Sequence, residues 1–438
     1  MDKLGNWRRT HSSKEVTPNL DGQVVTVFGW VQGIRDLGRI KFIILGDKDG
    51  DIQITVPMKT VSSEVVQKVL EIKKQYVIGV QGIVKKSGKA PRGVEINPHA
   101  IRILNSAQHP LALDPTGRTP ADIDVRLNAR ILDLRRPESQ AIFRINRFAT
   151  NSIREFLLNK GYLEVNTPRL IASATEGGAA LFPVVYFDKE AFLAQSSQLY
   201  KEELTAVFEK VFEIGSFFRA EESHTTRHIS EFVSVDVEMA FSTRDDTMKV
   251  LEELTEYVVK FIRKNCDEEL KTLKHEIEVP KLPLKRYTYD EILSELKEQN
   301  IAIPWGEDIP TPALRAVGKI HSKEFYFIID WPTSSKPFYI KPRDDSPEIC
   351  EGFDFMHSWI ELASGGTRIH DKELLTSRMR EQNLKPETFV YHLKAFEVGM
   401  PPHAGWGLGF NRFVMVLTGK DNIRECVLFP RDRYRLTP

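Results

Sequence analysis

Two patterns predict an α+β chain in two parts for these 438 residues. Five short β-prone runs crowd residues 1–105, and residues 139–438 mix helical periodicity with a long β-hairpin and further paired strands. Size is the third observation, since a chain this long favours two or three domains and a large core. Lys plus Arg total 61 and Asp plus Glu total 61, so whole-chain charge says nothing about a polyanionic partner, and a nucleic-acid surface would have to be a local patch. Cys266, Cys350 and Cys426 are odd in number and far apart, which indicates neither a disulfide framework nor a Cys-x-x-Cys metal site. The first residues lack an apolar signal region and no run of about 18 apolar residues occurs, so a soluble, cytoplasmic protein with no membrane segment is expected.

In the first part the β-prone runs are 23–32, 40–46, 52–57, 75–84 and 93–103, and residues 62–74 place Val65, Val66, Val69, Leu70 and Ile72 at helical spacing. Five strands with a helix between the third and fourth is the order of an OB-fold β-barrel, whose face binds single-stranded nucleic acid. Arg35 after the first strand, Phe42 in the second and Gln53 in the third are residue types that stack an unpaired base and read its edge or phosphate. On pattern alone Phe42 reads as an ordinary core position of an apolar strand. Residues 106–138 form a linker: Pro, Gly and Asp are dense from His109 to Pro120, and the basic residues between Arg126 and Arg136 suit either a solvated hinge or a surface that follows nucleic-acid phosphates.

The second part opens with a helix over 141–160 ended by Gly161, then a strand from Leu163 that stops at Pro168. Ala174-Thr-Glu176-Gly-Gly178 is a glycine loop with a carboxylate that can pair with an ammonium, or a plain turn. In Gln195-Ser-Ser-Gln198-Leu-Tyr-Lys201 the lysine is either a solvated helix-surface residue or a cation for a buried carboxylate. Phe217-Phe-Arg219-Ala-Glu221 and His228-x-x-x-Phe232 flank the turn of the hairpin: either solvated charges of an exposed turn, or a guanidinium that can fork onto a phosphate, a carboxylate, and an aromatic face for a base. Residues 243–300 look helical, with a capped start over 242–246. Asp354 and Glu361, seven apart on two strands joined by a turn, are either surface acids or a pair facing one pocket, where with Ser364 and phosphate oxygens they suffice for Mg²⁺. Arg368 follows, able to fork onto a carboxylate beside Lys201. Gly405-Trp-Gly407-Leu-Gly409-Phe-Asn411-Arg412 allows close backbone approach and puts Arg412 at a helix start, where it can stack on adenine and reach a terminal phosphate.

These segments, in this order, resemble the three motifs of the class II aminoacyl-tRNA synthetases, and nearly the whole chain is similar to the compact archaeal aspartyl-tRNA synthetases. The resemblance implies a catalytic domain over 139–438, an antiparallel β-sheet flanked by helices, behind an anticodon-binding OB-fold barrel over 1–105, and a homodimer built on the helix and strand that end at Pro168. It implies that Arg219, Glu221, His228, Phe232, Glu361 and Arg412 hold ATP, with Arg219, Glu221 and Arg412 catalytic. Glu176, Gln198, Lys201, Asp236, Ser364 and Arg368 would hold L-aspartate, and Asp354, Glu361 and Ser364 would hold Mg²⁺. Arg35, Phe42 and Gln53 would engage the central anticodon uridine shared by tRNA(Asp) and tRNA(Asn).

Asparaginyl relatives generally lack the lysine at 201 and carry Glu at 236, so Lys201 and Asp236 favour aspartate. Gln32 and Pro91 stand where strict enzymes carry Trp and Lys, as in relaxed enzymes that also charge tRNA(Asn) and supply a tRNA-dependent amidotransferase. Two departures stand out: Ser197 replaces a usual Pro, and Asn411 replaces an acidic residue before Arg412. The alternatives are an asparaginyl-tRNA synthetase and an inactive RNA-binding paralogue.

Overall fold

A computed structural model describes residues 1–172, 181–220 and 225–438, which divide into two compact units, Met1–Arg136 and Pro137–Pro438. In the first, strands β1 (Val24–Asp36), β2 (Ile40–Gly46) and β3 (Asp51–Pro57) precede helix α1 (Ser63–Glu71), and β4 (Val77–Lys86) and β5 (Val94–Asn105) follow it. The strands close a barrel in the order β1-β2-β3-β5-β4. Period-2 alternation sends Val25, Val27, Val31, Ile43, Leu45, Ile52, Ile54 and Val56 into its core. Ser62 caps α1 by accepting from the Val65 N–H, and Val65 and Val69 are the face it buries. The expectation that Arg35 follows the first strand is corrected: a bulge between Val31 and Gly33 lets β1 run on to Asp36, so Arg35 lies within it. Residues of the expected linker form α2 (Ile123–Asn128) and α3 (Arg130–Asp133), grouped with the barrel.

The second unit begins with α4 (Pro137–Asn159), whose proline suits a first helical turn, and Gly161 at φ 80° follows its end. Short strands β6 (Leu163–Glu164), β7 (Leu170–Ile171), β8 (Pro183–Tyr186) and β9 (Lys189–Leu193) lead to α5 (Gln198–Phe208). The hairpin β10 (Lys210–Phe218) and β11 (Glu231–Ala240) comes next, then α6 (Arg244–Asn265), opened by a Thr243/Asp246 capping box, and α7 (Asp267–Leu273). The helical reading of 243–300 is corrected here: Pro280 and Pro283 prevent continuation, and the chain instead forms β12 (Lys285–Thr288) before α8 (Tyr289–Glu298). The remainder comprises α9 (Thr311–Ile320), β13 (Phe325–Ile329), β14 (Gly352–His357), β15 (Ile360–Thr367), α10 (Lys372–Glu381), α11 (Val390–Glu397), β16 (His403–Gly409) and α12 (Phe410–Thr418).

Among the described residues, eight of these strands form one sheet in the order β12-β13-β14-β15-β16-β11-β10-β6. Its interior is antiparallel, while the outermost pairs β12–β13 and β10–β6 are parallel. One face buries Val235, Val237, Phe353, Phe355, Trp406 and Leu408 together with Ile145 and Ile153 of α4, Leu251 and Val258 of α6, and Phe413 of α12. Alternation therefore turns the polar residues of β11, β15 and β16 to the opposite face. Among the described residues no helix is long and apolar enough to cross a membrane.

Candidate active site

One transverse row of the sheet collects the chemistry. Glu213 on β10 pairs in register with Asp236 on β11, Asp236 with Gly407 on β16, Gly407 with Ser364 on β15, and Ser364 with Asp354 on β14. Residues in register share a face. Next to this row, Glu238 pairs with Gly405 and Gly405 with Gly366. The glycines of β16 make the room: a Cβ on Gly405 would lie 2.2 Å from Glu238 Oε2 and from the Val237 carbonyl, and one on Gly407 would lie 3.0 Å from Asp236 Oδ1. The Gly-x-Gly-x-Gly spacing thus makes a floor under two carboxylates, while Trp406 and Leu408 between them face the core.

Two cations converge on that floor from separate elements. Lys201, on the first turns of α5, places Nζ 3.1 Å from Asp236 Oδ1, 3.4 Å from Glu238 Oε2 and 3.0 Å from the Trp406 carbonyl. Arg368, just past β15, donates through Nε to Glu238 Oε1 at 2.8 Å and through Nη2 to Oε2 at 3.2 Å. Both cations are only 2% exposed, which rules out the solvated-surface reading of Lys201. Gln198 joins them, its Oε1 3.5 Å from Arg368 Nη2. Asp236 Oδ2 is buried without a hydrogen-bond partner. Sequence reasoning missed Glu238, although it stands two residues past Asp236 on the same strand face; that spacing was the signal.

Asp354 is buried, and its Oδ2 accepts from Lys336 Nζ at 2.7 Å while Oδ1 has no hydrogen-bond partner. Burial, opposed by Lys336 and reinforced by the Glu361 charge, pushes the Asp354 carboxyl up to about 6. Ser364 is its cross-strand partner, and Glu361 opposes Met356 after a bulge at Leu362 of β15. Among the described residues no group of three or more His, Cys, Asp or Glu side chains is arranged for a metal ion. Arg412 starts α12 and donates through Nη1 to the Glu361 carbonyl at 3.1 Å, with Glu361 Oε2 4.0 Å away. Asn411 does not touch this guanidinium; its Oδ1 accepts from the Val233 N–H at 2.8 Å and ties α12 to β11.

The hairpin end completes the region. The Arg219 N–H donates to the Ser230 carbonyl, and its guanidinium carbon lies 5.4 Å from the Phe232 ring centre. His228 Nδ1 is 2.6 Å from Thr225 Oγ1. Arg227, which sequence reasoning passed over, stacks on Trp359 at 4.5 Å and donates to Thr311 Oγ1 at 2.6 Å. Burial first, then the Arg412 charge, lowers its guanidinium to about 10, with Glu361 opposing. Such concentrated positive charge suits a polyphosphate. Glu176 and Glu221 lie outside the described residues.

On the barrel, Arg35 and Phe42 are direct cross-strand partners, and Gln53 pairs with Ile44 one step along β2 on the same face. Phe42 is half-buried and outside the core, contrary to its reading as an ordinary core position. Gln53 Nε2 donates to Glu95 Oε2 at 3.0 Å. Gln32 accepts from Gln75 Nε2 at 2.9 Å, and Pro91 is exposed in the turn between β4 and β5.

Residues 122–433 match the family described as tRNA synthetases class II (D, K and N), and residues 25–104 match the OB-fold nucleic acid binding domain. The chain is 50% identical over 425 residues to the aspartate–tRNA(Asp/Asn) ligase of Archaeoglobus fulgidus, covering 97% of this chain and 99% of that one. It is 49% identical over 436 residues to the protein of the same name from Methanothermobacter thermautotrophicus, covering 99% and 100%. Among solved structures it is similar to asparaginyl-tRNA synthetase from Pyrococcus horikoshii complexed with asparaginyl-adenylate, with TM-score 0.93, 31% identity and coverage of 98% and 100%. It is also similar to the aspartyl tRNA synthetase from Entamoeba histolytica, with TM-score 0.87, 31% identity and coverage of 99% and 93%.

Proposed function

The chain belongs to the class II tRNA synthetases of the D, K and N group, and we propose that it charges both tRNA(Asp) and tRNA(Asn) with L-aspartate. It is an aminoacyl-tRNA ligase, working through aspartyl-adenylate. The aspartate α-carboxylate attacks the α-phosphate of ATP in line and pyrophosphate leaves. The terminal ribose hydroxyl of tRNA then attacks the acyl carbon and AMP leaves. Neither step needs a protein nucleophile, so the residues contribute positioning and charge neutralisation.

The observation that carries the choice of amino acid is the buried pair Lys201 and Arg368, joined through Glu238. A substrate carboxylate finds two desolvated donors there, and a neutral carboxamide would leave at least one of them poorly matched. Gln198, Asp236, Ser364 and Glu176 complete that site in this reading, with an acceptor-rich side for the α-ammonium. ATP lies along β10, β11 and β16, where Arg219, Arg412, Glu361, His228 and Phe232, with Glu221, take its phosphates and base. The unpartnered Asp354 Oδ1 and the nearby Glu361 suit Mg²⁺, which keeps waters and phosphate oxygens as its other ligands, and Ser364 stands beside them. When bound, the ion neutralises phosphate charge. Arg35, Phe42 and Gln53 take the anticodon uridine, and Gln32 and Pro91 set the relaxed choice of tRNA.

A homodimer formed through α4 and the edge strand β6, a cytoplasmic location and a downstream amidotransferase complete the reading. Amino-acid-dependent ATP–pyrophosphate exchange tests it: aspartate supports exchange and asparagine does not, and the reverse pattern would overturn the choice of substrate.

A further inference from the structure

Behind the Lys201–Arg368 pair, α5 turns a second charged group inward. Glu202 is fully buried, and its Oε1 accepts from Gln198 Nε2 at 2.6 Å, one helical turn back. Its Oε2 faces two imidazoles, 3.5 Å from His392 Nε2 on α11 and 3.7 Å from His403 Nε2 at the start of β16. His392 Nδ1 also lies 3.0 Å from Glu203 Oε1. Burial opposes ionisation of Glu202, and the two histidines outweigh it, holding the carboxyl well below the usual range.

An amide offers donors at one end and an acceptor at the other, whereas a carboxylate only accepts and a guanidinium only donates. Gln198 sits between one of each, Glu202 at 2.6 Å and Arg368 at 3.5 Å. Both neighbours demand the same orientation: nitrogen toward Glu202, oxygen toward Arg368. Turning the amide over would set its N–H groups against the guanidinium and its oxygen against the carboxylate. The Arg368 contact is at the outer limit of a hydrogen bond, so the oxygen keeps capacity for an incoming N–H.

We propose that Glu202, backed by His392 and His403, is a positioning residue for amino-acid selection, holding the Gln198 amide with its oxygen presented to the substrate ammonium. This rests on the reading of Gln198 as an aspartate contact. α11 thereby acts on the site through a carboxylate that touches no substrate.

The test is a double-mutant cycle in ATP–pyrophosphate exchange, reading the KM values for aspartate and ATP separately in the full-length enzyme. Glu202→Met removes the acceptor at similar volume; it raises the aspartate KM about tenfold and leaves the ATP KM within about twofold. Gln198→Ala raises the aspartate KM at least as much, and the double variant is no worse than Gln198→Ala alone. Glu202→Gln can turn either end toward Gln198, so it gives a smaller rise of the same sign, and it carries the test if the Met variant does not fold. An unchanged aspartate KM in Gln198→Ala would refute the reading of Gln198 itself. A raised KM in Gln198→Ala with none in the Glu202 variants, or additive effects in the double variant, would overturn the positioning role alone.

Discussion

Single residues decide the site through what they leave room for. Gly405 is the clearest case, because the Cβ of an alanine there would meet both the Glu238 carboxylate and the Val237 backbone, and the backbone cannot yield. Gly405→Ala is expected to displace Glu238, and with it Arg368 and Lys201, lowering aspartate-dependent exchange by on the order of 100-fold or more; steady-state exchange kinetics check this. Lys201→Met leaves Asp236 and Glu238 under-compensated in a buried place, at a cost of roughly 3–5 kcal/mol, so both a lower melting temperature and a raised aspartate KM are expected. An unshifted melting temperature would mean these acids are not dependent on the lysine. Lys201 and Arg368 were legible because each sits in a distinctive local string. Glu202 was not, since its meaning comes from His392 and His403, which reach it only through the packing of α11 and β16 against α5.

At the scale of elements, the hairpin β10–β11 and the α12 start were readable from alternation and glycine spacing, whereas β12 was not, its four residues lying in a charged stretch that reads as helix. The departure at Asn411 has a structural role that sequence comparison could not supply. Its acceptor is spent on the Val233 N–H, and Arg412 is held instead by the carbonyls of Glu361 and Arg227. Asn411→Ala should therefore cost about 1–2 kcal/mol in denaturant unfolding, and Asn411→Asp, which keeps the acceptor, much less.

The α5–α11 packing also predicts a pH dependence. Burial disfavours charge on His392, but Glu202 and Glu203 outweigh it and lift the imidazole from 6.5 to about 9, with His403 the remaining titratable neighbour across Glu202. A folded value above the unfolded one contributes stability fully below about pH 6.5 and loses it as pH rises through about 9. Over that window the melting temperature should fall more steeply for the wild type than for His392→Asn; parallel curves would contradict the assignment.

At the scale of the molecule the two units divide the work, a barrel whose exposed face aligns Arg35, Phe42 and Gln53 and a sheet whose polar face aligns two buried cations with two acids. That division was legible in the order of the motifs, and the barrel in its five alternating strands with a helix between the third and fourth. The run of β1 through Arg35 was hidden because a bulge breaks the alternation at Gly33. Choice of tRNA belongs to this scale, since on the proposed reading a barrel that grips only the shared uridine would admit both tRNAs. Aminoacylation with labelled aspartate of separate tRNA(Asp) and tRNA(Asn) transcripts, with asparagine as control, is the most direct measurement. Charging of both transcripts by aspartate alone is the predicted result; charging of tRNA(Asp) only, or of either transcript by asparagine, would contradict it.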